Sequence, residues 1–343
     1  MTISDRQHHI GWIDYAKAFA IYSVVLLHTH CVEALSVAIN GYVMPLFFFL
    51  SGFLFSRDRN PEFIPFLKKR FRQLIIPYLW INLVAYIIWV TVLRHFGNDP
   101  GDALQWQEPL WGILLGIPPA LVHDIPIWSI LCFFVVEIIF YVIPPFGKFT
   151  DLIIAACAWI VASVISLLAG EEGVALPLTI APAAGALAFY ALGHYISERT
   201  IHLKLLFSPS PAVLLLGLIL LTAGLSLNIP TAFFLGILGN PIYFLIGAIG
   251  GVITGVQIAG WLDRIFHDGA LIRMISRGTL IICGFHLLAF AFIKGVMLFC
   301  FEIQPQALVA NLPRGILFSM AATLLCLPLI WIIERWFRFL VSK

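Results

Sequence analysis

The chain has 343 residues, 61% of them hydrophobic and only 11% charged, with a formal net charge of +2. Soluble globular domains carry about 25% charged residues, so this composition excludes one, and the near-balanced charge gives nucleic-acid binding no support. The apolar residues fall in long runs with few charges, the signature of a polytopic helical membrane protein.

In chain order, the runs long enough to cross a bilayer are 15–35, 41–55, 74–93, 127–143, 152–168, 180–196, 212–227, 233–258, 280–301 and 315–333. The second contains Pro45 and the eighth is interrupted by Asn240-Pro241, so both are expected to kink or break. No small-residue cleavage site marks the first run, which reads as retained. With the N-terminus in the cytoplasm, the inner segments collect Arg6, Lys17, the basic cluster at 57–72, Lys148, Arg199, Lys204, Arg264, Arg273, Arg277, Arg335, Arg338 and Lys343. The outer segments keep only Arg94 and Arg314, and Lys294 falls within a run. That bias follows the positive-inside rule. The expected fold is all-α: a single membrane domain over 1–343 with about ten transmembrane helices and both termini cytoplasmic. The longest outer connection, about 94–126, holds Trp106, Trp111 and Pro118-Pro119 and is expected to lie in the interface. Six cysteines are scattered singly with no metal spacing, so they read as small core residues and no metal is expected.

Polar groups at depth are the candidates for chemistry. Lys17 and His28 are eleven residues apart, which on a helix returns to within about 20° of one face and climbs roughly 16 Å. That is about half of a hydrocarbon core of roughly 30 Å, so His28 is expected in mid-helix above Lys17, with Asp14 on the same stripe. His30 lies about 200° around from His28 and should face elsewhere. Glu137 and His286 are further ionisable groups deep in runs, and Lys294 follows His286 in the same run. Each could serve function or an interhelical polar contact, as could His28 itself. The cluster Arg57-Asp58-Arg59 and Lys68-Lys69-Arg70-Phe71-Arg72 reads first as a topogenic, lipid-touching patch and secondly as a phosphate site.

Asp14-x-x-Lys17-x10-His28 is followed by Pro45-Leu-Phe-Phe-Phe-Leu-Ser51-Gly52-Phe53. With the basic run into Pro77-Tyr78, Pro126-Ile-Trp128 and Gly284-Phe285-His286, the pattern resembles the membrane-bound acyltransferase family 3 over essentially the whole chain. It is most similar to short members of the fucose 4-O-acetyltransferase and enterobacterial common antigen O-acetyltransferase kind. The resemblance implies a bacterial inner-membrane protein moving an acetyl group from cytoplasmic acetyl-CoA to a sugar hydroxyl of an envelope polysaccharide or lipid-linked glycan. It makes His28 the catalytic residue, as base or acyl carrier, with Glu137 or His286 orienting it or helping the acceptor. Lys17, Ser51, Arg70 and Arg72 would then hold acetyl-CoA at the inner mouth. Where the family commonly has arginine this chain has Lys17, which keeps the charge and loses the bidentate fork. The family's third-helix arginine, which lies closer to the proline, is carried to Arg72. The rival reading is a proton-coupled secondary transporter or exporter, which also needs midplane His, Glu and Lys with broken helices. No inverted repeat supports it.

Overall fold

The computed structural model describes residues 11–96, 105–170, 172–199, 208–228, 231–267, 269–304, 308 and 311–341. Arg6, Lys204 and Lys343 lie outside them. The described residues form helices, with one isolated bridge between Ala232 and Ile237, so the protein is an all-α polytopic membrane protein. In chain order the helices are α1 (Gly11–Leu27), α2 (Glu33–Leu54), α3 (Phe63–Arg70), α4 (Ile76–Thr91), α5 (Glu108–Leu115), α6 (Trp128–Val142) and α7 (Thr150–Ala169). Then follow α8 (Ile180–Ser197), α9 (Pro211–Ser226), α10 (Pro241–Phe266), α11 (Ala270–Arg277), α12 (Thr279–Phe299) and α13 (Leu312–Trp336). Each of the ten apolar runs forms a helix. Among the described residues, seven segments are long and apolar enough to cross a membrane, and α9 is a shorter apolar helix.

Local chemistry sets several helix ends away from where hydropathy puts them. The first run stops at Leu27 instead of continuing to 35, because Thr29 turns its hydroxyl onto the Leu26 carbonyl at 2.7 Å and His30 takes a left-handed backbone, φ +49°. The chain restarts at once as α2, which passes Pro45 unbroken. The eighth run does break: 233–235 is a 3-10 turn, and α10 begins where Asn240 accepts from the Ile242 and Tyr243 amides ahead of Pro241. A π turn, Phe71–Ile75, joins α3 to α4, so the third run is one rod, Phe63–His95.

Helix α2 is the shared wall between two apolar cores, one built with α6, α7 and α8, the other with α1, α10, α12 and α13. Without lipid-excluding force between helices, close backbone contact carries such packing. A Cβ on Gly52 would collide with the Tyr190 carbonyl, and one on Gly193 with the Phe49 carbonyl, so these two glycines let α2 and α8 touch. Gly224 and Gly250 serve the α9–α10 contact in the same way.

The connection before α6 is exposed at its start and packed at its end: Trp106 and Trp111 are exposed, while Tyr78 donates to the Ile113 carbonyl at 2.9 Å and Leu121 and Ile127 are fully buried. Asn82 donates to Tyr78 O, so its Oδ1 accepts from His123 Nε2 at 2.9 Å. Burial pushes the His123 imidazole down to about 4 and lifts the Asp124 carboxyl well above the usual carboxylate range, each shift favouring the uncharged form.

Candidate active site

Between the two cores lies a cavity of about 650 Å3, walled by α1, α2, α6, α12 and the segment entering α6. Its walls are mostly apolar, with a few polar groups: Lys17, His28, Ser51, Arg70 and Glu137 of the sequence candidates face it. His286 is fully buried directly behind His28. Arg72 is exposed and outside the lining. It lies two positions on from Arg70, about 200° on a helix, so only one of the pair can turn inward.

The imidazole pair has a defined proton pattern. Carbonyl oxygens only accept, so His28 Nδ1 carries the proton it gives to Val24 O at 2.7 Å, and His286 Nδ1 carries the one given to Ile282 O at 2.9 Å. His286 Nε2 therefore offers a lone pair, 3.3 Å from His28 Nδ1, and shares that proton. The rings meet edge to face, 62° apart with centroids 5.0 Å apart. What remains on His28 is the Nε2 lone pair, on a ring that lines the cavity. Two residues before His286, Gly284 lets α12 close on α4, since a Cβ there would strike Ile81.

His28 stands one residue beyond the end of α1, where mid-helix was expected. The same early stop overturns the expectation for His30, which also lines the cavity: past Leu27 the 100° rotation no longer applies, and the left-handed backbone redirects the side chain.

Glu137 sits at the inner end, 4% exposed, with Oε2 2.7 Å from Arg70 Nε and Oε1 accepting from Ser51 Oγ at 3.2 Å. The Arg70 N–H is not aimed at the oxygen, so the contact is an ion pair rather than a directed hydrogen bond. Arg70 also gives Nη1 to Gln73 at 2.9 Å. Ser51 is the neighbour of Gly52, at the close α2–α8 contact. Of the remaining cluster, Arg57 caps α6, donating to Phe140, Tyr141 and Ile143 carbonyls at 2.6–2.9 Å, and Arg59 donates to Leu54 O at 3.0 Å. Their roles are structural. Asn40 and Arg277 also line the cavity. Arg277 was hidden among the inner-side charges, and its place just before the run carrying His286 was the only sequence signal.

Fold and cavity together define a polytopic membrane protein with ionisable groups gathered on an internal chamber. A family model described as an acyltransferase domain, that of acyltransferase family 3, matches residues 10–335. The chain belongs to that family and is a membrane acyltransferase. Comparison with curated proteins and with solved structures gave no match.

Proposed function

We propose that the protein is an O-acetyltransferase of the bacterial inner membrane, taking acetyl from cytoplasmic acetyl-CoA and placing it on a sugar hydroxyl of an envelope polysaccharide or lipid-linked glycan. The observation that carries this reading is the His28 lone pair on an internal chamber, braced from behind by His286. His28 Nε2 takes the proton of the acceptor hydroxyl as its oxygen forms a bond to the thioester carbon. His286 Nε2 supports the imidazolium by accepting more fully from His28 Nδ1–H. The C–S bond then breaks, the proton on His28 Nε2 passes to the departing thiolate, and both rings return to their starting state. Apolar walls at Ile21, Val24, Val43 and Phe47 suit a pantetheine arm and keep water from the thioester. The cations Lys17 and Arg70 face the same chamber and suit phosphate groups; Glu137 and Ser51 position Arg70.

Purified protein in proteoliposomes, given radiolabelled acetyl-CoA and extracted envelope glycan, transfers label to the glycan. His28→Ala and His28→Gln retain acetyl-CoA and lose transfer by at least about 10²-fold, the scale of general-base catalysis. Wild-type-like transfer by either variant ends the reading, and accumulation of unlabelled substrate without transfer points to a carrier.

A further inference from the structure

We infer that Arg277 is a further phosphate-binding residue for the acyl donor, a role that rests on the proposed acyl-CoA chemistry and names the group that completes it. Among the cavity-lining side chains, the cations are Lys17 of α1, Arg70 of α3 and Arg277 at the end of α11. Arg70 already has partners. Arg70 spends its Nε on Glu137 and an Nη on Gln73, with its plane over the Phe66 ring. Lys17 is a point charge with Asp14 as its electrostatic partner. Arg277 is 52% exposed, and among the described residues its ion pair, with Glu334, is stretched to 3.8 Å. A half-exposed pair at that distance holds little energy, so the planar five-donor fork stays available to an anion.

The surroundings fit an anion. Ser276 donates to Asp14 Oδ1 at 2.5 Å and Tyr15 to the His267 carbonyl at 2.6 Å, which ties Ser276 and His267 to α1. Gly278 packs against Ile330 where a Cβ would collide, so the chain passes directly from Arg277 into α12. Thr279 and Leu280, the first residues of that 21-residue helix, line the same wall, bringing the positive end of its dipole beside the guanidinium. Arg277 thus supplies the bidentate contact that Lys17 cannot make and that the exposed Arg72 does not reach.

The test compares two donors, acetyl-CoA and S-acetylpantetheine, which share the thioester and differ in the phosphates. Arg277→Ala raises the KM for acetyl-CoA about tenfold with kcat within about twofold, the cost of one charge-assisted contact. The same variant leaves the KM for S-acetylpantetheine unchanged, and Arg277→Lys recovers part of the loss. An unchanged KM for acetyl-CoA in an active Arg277→Ala protein overturns the inference. So does an equal loss with both donors, which marks a structural role. Should the wild-type protein use neither donor, the proposed acyl-CoA chemistry fails, and the inference falls with it.

Discussion

At the scale of single residues, the two imidazoles divide the labour by where their protons sit. His286 keeps its proton on Nδ1 for Ile282, so it can only accept from His28, and a group that accepts there stabilises the charge His28 gains. His286→Leu should therefore lower kcat by about 10²-fold with little change in KM. His286→Gln should recover part of it through an amide oxygen; steady-state kinetics on both separates positioning from packing, since a packing role predicts no rescue. Glu137 is a different case. Its partner Arg70 is 22% exposed and Glu137 itself 4%, so removing the carboxylate strands a mostly buried cation. Glu137→Leu should cost on the order of 3 kcal/mol, seen as a lower unfolding temperature in detergent, and Glu137→Gln less.

At the scale of elements, the close contact between α2 and α8 sets the position of the wall that carries Ser51. Gly52, the next residue, has no side chain to push α8 away, and Ser51 itself donates to Glu137 of α6. Gly52→Ala and Gly193→Ala should each lower the unfolding temperature and weaken transfer together. Gly295→Ala is the control: nothing lies within 4 Å of a Cβ there, and removing an interior helical glycine should be neutral or stabilising by about 0.5–1 kcal/mol. The Ser51-Gly52-Phe53 motif was legible in the sequence as a motif. Its physical reason was not, because Tyr190 and Gly193 lie some 140 residues on and nothing local points to them.

At the scale of the whole molecule, the charge bias and the packing agree on one arrangement. The C-terminal turn Arg338–Leu340 packs on α4, where Trp80 donates to the Leu340 carbonyl at 3.0 Å. Both ends of the chain are expected in the cytoplasm. A fluorescent protein that matures only inside the cell should therefore glow when fused after Lys343, and a phosphatase active only outside should stay silent. The opposite pair of results would reverse the orientation and detach His28 from a cytoplasmic donor. In the connection 105–127, Trp106 and Trp111 stay exposed while its last part packs into the bundle, where burial favours the uncharged forms of His123 and Asp124.

The sequence by itself determined the all-α membrane fold, the position of each apolar run to within several residues and the family, because transfer into lipid is a local property summed along the chain. It also singled out Lys17, His28, Ser51, Arg70 and Glu137, all of which face the cavity. Only the tertiary structure decided that His28 meets His286 across 258 residues, that Arg70 turns inward while Arg72 does not, and that His30 shares the chamber. Those outcomes depend on helix rotation and helix ends, where a single left-handed residue or an offset of two positions redirects a side chain.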